Sequence, residues 1–367
     1  MSEEKNTLLG GLPPSAFAAP LCAWYKKNAR PLPWREEVTP YRVWLSEVML
    51  QQTRIEAVKP YYARFLAAAP TVSALAALPD DRLMKLWEGL GYYSRARNLR
   101  RAAQEIVEKY NGEMPRDYAA LLALPGIGDY TAGAIASIAF GLPYPAVDGN
   151  VLRVLTRLLS DPSDVLLPET KKRITALLGE VYRANAQDAA ALTQGLMELG
   201  QTLCLPNTTP LCDGCPLAHL CRAREEGKTR EIPYRSPKKA KKTEKRLVLL
   251  LFDGEGRYAI RRRAEGGLLG GLWELPNLLI TGKEDDEALD RLAREYCAAR
   301  GIAAAESAAA PAAKHIFTHL VWEMQGRFVN VQPAGEELLF VSPAELRSSY
   351  ALPSAFRAYA RVIHGEK

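Results

Sequence analysis

From Ala16 to about Ala223, apolar residues recur three and four positions apart, most regularly over Tyr41 to Gln52, Leu83 to Tyr110 and Thr131 to Phe140. That period predicts amphipathic helices. The pattern is cut at Pro79-Asp80, Asn111-Gly112 and Pro125-Gly126, which predicts many short helices joined by tight turns. At Lys228 the chain becomes polar, basic and interrupted by Pro233 and Pro237, the composition of a linker. After it the period changes to two. Arg246 to Phe252, a turn at Asp253-Gly254-Glu255-Gly256 and Arg257 to Arg262 predict a hairpin. A helix is expected from Glu284 to Arg300, strands at His315 to Glu323 and Arg327 to Val331, and a short helix near the end. The expected fold is multidomain: an all-α domain over residues 1–227, a basic linker at 228–245 and a small α+β domain over 246–367.

A chain of 367 residues is long enough for two cores. Its 48 Lys plus Arg against 42 Asp plus Glu leave a charge of +6, which permits a polyanionic partner without requiring one. No apolar run reaches the length of about eighteen residues that a membrane-spanning helix needs, so no membrane partner is expected. The start carries Glu3 and Glu4 beside Lys5, and Pro13 and Pro14 break the apolar stretch that follows, unlike a secretory signal. A cytoplasmic location is expected, on the nucleoid if the source is bacterial. Four of the six cysteines crowd into Cys204, Cys212, Cys215 and Cys221, with Cys22 and Cys297 far away. In a reducing compartment such a cluster points to metal. Gaps of seven, two and five residues suit a tetrahedral ion or an iron–sulfur cubane.

Two further segments carry chemistry. Leu124-Pro125-Gly126-Ile127-Gly128 opens the helical run Tyr130 to Phe140. Glycines there allow positive φ, and the N–H groups starting the helix can meet a phosphate oxygen. Taken alone, the segment reads better as an ordinary helix–turn–helix with glycine caps, and Asp148-Gly149 as a turn signal. Glu47 lies in the largely apolar Val43 to Thr53, where burial can raise a carboxyl pKa.

Together, Trp44-Leu45-Ser46-Glu47-Val48-Met49-Leu50-Gln51-Gln52-Thr53, Leu124 to Ala132, Val147 to Val154 and the cysteine loop resemble the helix-hairpin-helix DNA glycosylases. The likeness is greatest to adenine glycosylases of the MutY type, and it runs from about Phe17 to Arg357. It implies a [4Fe–4S] cluster on Cys204, Cys212, Cys215 and Cys221, within the loop 204–221. The family's first gap is six residues, so one residue is inserted here between Leu205 and Leu211. The resemblance further implies that Glu47 protonates N7 of adenine and then helps activate water. Asp148 would stabilise the sugar cation, with Tyr130 and Asn150 orienting that site. Two carboxylates suffice for such a cleavage, as in glycoside hydrolysis. Glycosylases that also cut the strand place a Schiff-base lysine where Tyr130 stands, so a monofunctional enzyme is expected. A stacked base must be flipped out. By resemblance Gln52, Thr53, Leu90 and Tyr92 enter or touch the duplex with the hairpin's Gly126 and Gly128, while Arg30, Trp34, Arg35 and Gln194 form the adenine pocket.

Arg263 to Pro276 looks like the start of a Nudix-like domain. The best frame for a Nudix metal motif is Arg294 to Ile302, where Ala298 and Ala299 occupy positions that need carboxylates. Alanine offers no oxygen to a hard cation, so hydrolysis of oxidised nucleoside triphosphates is not expected. His315-Ile316-Phe317-Thr318-His319-Leu320 instead resembles the family's Phe-Ser-His loop for 8-oxoguanine. Phe317, Thr318 and His319 are the expected readers. Thr318 keeps the serine hydroxyl and adds a methyl group. The expected partner is double-stranded DNA with adenine opposite 8-oxoguanine or guanine, bound by a monomer. A bifunctional endonuclease III-like pyrimidine glycosylase and a noncatalytic DNA-binding iron–sulfur protein are the alternatives.

Overall fold

The structure is a computed structural model that describes residues 14–237, 240–282, 284–333 and 337–366. Pro13 at the N-terminus and Lys238 and Lys239 of the expected linker lie outside the described residues. The contacts divide the chain into two units, one holding the described residues up to Ala77 together with Arg97–Pro237, the other Leu78–Ala96 and the described residues after Pro237. No helix among the described residues is long and apolar enough to cross a membrane.

The first unit is built of helices. Proline opens several of them, including Pro33–Glu36, Pro40–Leu50 and Pro168–Ala184, where its missing N–H costs nothing and its fixed φ suits the first turn. Thr39 caps the second by accepting from Arg42 N at 3.3 Å. Phe17, Leu21, Leu155, Tyr182, Leu192 and Leu196 lie in one buried core, to which the Gly149–Leu159 helix contributes Val151, Leu152, Val154, Leu155 and Leu158. Gly200 lets the Ala189–Thr202 helix approach closely: a Cβ there would stand 2.6 Å from Cβ of Asn150.

The described residues of the second unit form a seven-stranded sheet: β1 (Lys242–Phe252), β2 (Tyr258–Arg262), β3 (Trp273–Glu274), β4 (Asn277–Ile280), β5 (Ala303–Ile316), β6 (Leu320–Gln332) and β7 (Leu339–Val341). The order is β3-β2-β1-β6-β5, with β4 also on β1 and β7 on β2. β1 and β6 run parallel, and the expected β1–β2 hairpin closes at Phe252↔Tyr258. Alternation along β1 serves two cores. Val248 and Leu250 face Trp322, Phe356 and Tyr359, whereas Leu247, Leu249 and Leu251 face Leu289, Ala293 and Cys297 of the Asp286–Ala298 helix.

Several expectations change. The linker does not extend over 228–245: Ile232 is buried, its carbonyl accepts from Arg157 Nε at 2.8 Å, and β1 already begins at Lys242. β6 is one strand where two were expected, and the alanine-rich β5 was not foreseen, because alanine is a poor strand former and blurs the alternation. The helical stretch Leu83 to Tyr110 is broken into Asp80–Trp87 and Ser94–Tyr110 by a turn with positive φ at Gly89, Gly91 and Tyr92. Asp80–Trp87 also packs with the second unit, although its place in the chain puts it within 1–227. It buries Leu83, Leu86 and Trp87. Asp80 pairs with Arg262, Asp81 accepts from Trp273 Nε1, Lys85 donates to the Tyr350 carbonyl and Glu88 accepts from Leu352 N, at 2.8, 3.1, 3.1 and 2.8 Å.

Candidate functional site

Glu47 sits near the end of the Pro40–Leu50 helix, 6% exposed. The Tyr130 hydroxyl, from the Asp129–Ala134 helix, donates to its Oε2. Burial pushes the Glu47 carboxyl up to about 7; the charge of Asp148 adds to the rise, and the Tyr130 hydrogen bond and Arg35 oppose it. Tyr130 is itself raised well above its ordinary value, first by burial and then by Glu47 and Asp148, so it stays protonated as a donor. Asp148 caps the Gly149–Leu159 helix, its Oδ1 accepting from the Asn150 and Val151 N–H groups at 2.9 and 2.8 Å. Its Oδ2 accepts from Asn150 Nδ2 at 2.7 Å, and a helix N-terminus favours an anion. The pair combines a buried acid titrating near neutrality with a carboxylate fixed by three donors.

Glu47 lines a cavity of about 460 Å3, counted out to its open mouth, with Trp34, Arg35, Gln194, Met197 and Gln201. Three of the four expected pocket residues are there. Arg30 is not a lining residue; its guanidinium is bound to Glu198 and Gln201. Glu198, Met197 and Gln201 were missed in the sequence, where only the isolation of Glu198 in the apolar Leu196-Met197-Glu198-Leu199 hinted at a role.

The hairpin takes the expected shape at Gly126, with φ +76° and a would-be Cβ 2.6 Å from Asn98 Cβ. Gly128 is a correction, because its φ is −99° and it caps the next helix in extended conformation. A Cβ there would meet nothing, so its value lies in leaving the helix N-terminus open. Gln52 is exposed on a positive-φ turn, and Thr53 closes that turn onto the Gln51 carbonyl. In the second unit Leu90 is buried while Tyr92 is exposed. Arg95 holds their turn by donating to the carbonyls of Leu90 and Gly91, both at 3.1 Å.

Cys204, Cys212, Cys215 and Cys221 all line one cavity of about 320 Å3 with Arg157 and Arg224. Arg157 Nη1 reaches Cys204 Sγ at 3.3 Å. Burial pushes the Cys215 thiol up to about 11 and also raises Cys212 and Cys221. Among the described residues, no three His, Cys, Asp or Glu side chains are placed to hold a metal ion; the four cysteines share the lining of one cavity. That donor set fits a cluster, which asks for four thiolates around a cage.

The loop between β5 and β6 separates its expected readers. Phe317 turns inward, edge-on to Trp322 at 4.9 Å between centroids, and is an anchor. Thr318 and His319 are exposed, and the Thr318 hydroxyl lies 2.7 Å from the Tyr92 hydroxyl.

Residues 45–184 match the model of the HhH-GPD superfamily base excision DNA repair protein, and 247–361 that of the NUDIX domain. A thermostable thymine-DNA glycosylase superposes with a TM-score of 0.52 at 26% identity, over 58% of this chain and 97% of that one. The molecule is thus a helical base-excision repair domain followed by a Nudix-like domain. The adenine DNA glycosylase of Homo sapiens is 44% identical over 58% of this chain and 40% of its own length. That of Mus musculus is 35% identical over 74% and 62%, and that of Buchnera aphidicola subsp. Acyrthosiphon pisum 33% identical over 74% and 76%. The chain belongs to the adenine DNA glycosylase family. It spans 40% and 62% of the length of the human and mouse relatives.

Proposed function

We propose that the protein removes adenine mispaired with 8-oxoguanine, and with guanine, by hydrolysing its N-glycosidic bond. The observation that carries this reading is Glu47, an acid held at about 7 in the wall of a pocket it shares with Trp34, Arg35 and Gln194, with Asp148 as its charged neighbour. Adenine, a poor leaving group, needs a proton, and the sugar it leaves behind, as it becomes cationic, needs a negative charge beside it. Glu47 donates to adenine N7 and, once ionised, draws a proton from the attacking water. Asp148, oriented by Asn150, faces the developing oxocarbenium ion. Tyr130 has no amine to form an imine, so the product is an intact abasic site.

Cys204, Cys212, Cys215 and Cys221 would hold a [4Fe–4S] cluster, whose bonds to four thiolates tie down the loop 204–221. Gly126 and Gly128 place helix N–H groups against a phosphate, with Gln52, Thr53, Leu90 and Tyr92 as duplex contacts. Trp34, Arg35 and Gln194 contact the flipped adenine, and Thr318 and His319 read the opposite base. Ala298 and Ala299, exposed at the end of the Asp286–Ala298 helix, offer nothing to a metal, which leaves the Nudix-like domain a reader. The enzyme works as a cytoplasmic monomer on double-stranded DNA.

The test is base release from duplexes carrying adenine opposite 8-oxoguanine, adenine opposite guanine, or oxidised thymine opposite adenine, with strand breaks scored before and after alkali. Breaks at adenine only after alkali are expected. Reaction at oxidised thymine alone, with breaks before alkali, would replace this reading by a bifunctional pyrimidine glycosylase.

A further inference from the structure

Glu198 is a carboxylate with no exposed side-chain surface, and the mechanism above makes no use of it. It comes from the buried side of the Ala189–Thr202 helix, one residue after the pocket-lining Met197. Both oxygens are engaged. Oε1 accepts from Arg30 Nε at 2.5 Å and from the Arg30 backbone N–H at 3.2 Å; Oε2 accepts from Arg30 Nη2 at 3.1 Å and from Arg35 Nη2 at 2.8 Å. Arg35 Nη1 also donates to the Arg30 carbonyl at 3.0 Å, and Arg30 Nη2 to Gln201 Oε1 at 2.5 Å. The knot therefore ties the loop before Pro33–Glu36 to the Ala189–Thr202 helix, and two of its members, Arg35 and Gln201, line the base pocket.

We propose that Glu198 is a positioning residue of the base pocket, clamping Arg30 and Arg35 in place and offsetting part of their charge so that the acid at Glu47 faces a less positive wall. The inference rests on the reading of Glu47 as the acid. One carboxylate serves two guanidiniums, so the knot keeps a net positive charge of about one, carried toward Arg30, which is the more exposed of the two. Arg35 acts on Glu47 directly and pulls its pKa down, while burial and Asp148 push it up and Tyr130 pulls it down. The groups facing the carboxyl are thus Tyr130, Asp148 and Arg35, with Tyr25 under the Arg35 guanidinium at 5.4 Å. Glu198 stays ionised, since its two arginines outweigh the burial that would raise it. Without its anion, Arg35 would confront Glu47 uncompensated across the pocket wall. Two unit charges several ångströms apart at an effective dielectric constant near 20 interact strongly enough to move a titration by roughly one pH unit, ten-fold in the protonated fraction.

The experiment uses the full, cluster-loaded chain and two variants with opposite expected signs. Single-turnover release of adenine opposite 8-oxoguanine is followed against pH, and the Glu47 carboxyl is titrated by infrared difference spectroscopy against Glu47→Gln. Glu198→Gln should move the alkaline limb and the Glu47 titration down by about one pH unit. Glu198→Asp, which keeps the anion, should restore most of the wild-type value. Arg30→Met leaves Glu198 entirely to Arg35 and should move both readouts up. Because Arg30 is partly exposed, that variant keeps the test open if Glu198→Gln does not fold. Unmoved titrations, or shifts of the same sign in Glu198→Gln and Arg30→Met, would overturn the proposal. If the wild type released no adenine the assignment of function would fall, while the infrared titrations would still decide the role of Glu198.

Discussion

Replacing Glu47 by glutamine should slow the reaction and, above neutral pH, make the protein more stable. The free glutamate side chain titrates at 4.5 and the buried one at about 7. Because the folded value is the higher, the neutral carboxyl contributes its full stability below pH 4.5, and that contribution is lost as pH rises to the folded value near 7. A gap of about 2.5 pH units at about 1.4 kcal/mol each amounts to ~3 kcal/mol. A glutamine at this position cannot ionise, and its carbonyl oxygen can still accept from Tyr130. The variant and the wild type should therefore melt alike near pH 4.5, diverge through pH 6, and stay apart above pH 7. For a unit of about 200 residues the plateau corresponds to roughly 6–12 °C. Thermal melts of both proteins across this range, followed by far-ultraviolet circular dichroism, make the comparison. A difference independent of pH would refute the burial of an ionisable acid at this position. Loss of the general acid should also slow adenine release by on the order of a hundred-fold or more.

Tyr130→Phe removes a donor that favours ionised Glu47, so the alkaline limb of the rate profile should move up by roughly one pH unit; an unmoved limb would place the acid elsewhere. Cys215→Ser should lower bound iron and the visible absorbance of the purified protein, and lower duplex affinity measured at fixed salt. Thr318→Val should cut the preference for adenine opposite 8-oxoguanine over adenine opposite guanine by roughly two- to ten-fold, the worth of one hydrogen bond, while Thr318→Ser keeps it. Trp322→Ala empties a fully buried site beneath Phe317 and should cost roughly 3–5 kcal/mol, read as an earlier melting of the second unit.

The carboxylates were legible because each lies in a contiguous motif whose local structure does the positioning: Glu47 on the inner face of an apolar helix, Asp148 directly before a helix it caps. The glycines were legible in kind but not in detail, since both permit positive φ and only Gly126 uses it. Glu198 was hidden because its partners are Arg30 and Arg35, more than 160 residues away, and no local pattern records such a pairing. β5 was hidden by alanines, which carry little hydrophobic contrast. Leu90 and Phe317 have motif positions that suggest contact with DNA, yet their apolar side chains are buried or packed inward here. Burial of a large apolar group is worth ~1.5–3 kcal/mol, enough to decide such an orientation when no duplex competes.

The helix Asp80–Trp87 has a consequence for the order in which the protein is made. Lys85 emerges from the ribosome 261 residues before Leu346, to whose carbonyl it donates. At about 5–20 residues per second, the wait is roughly 13–52 s. Throughout it Asp80, Asp81, Lys85 and Glu88 are without Arg262, Trp273, Tyr350 and Leu352, the partners they hold in the folded unit. The nascent helix must wait for those four contacts until Leu352 has been made, so a stall in synthesis before that point leaves the earliest and latest segments of the second unit unjoined.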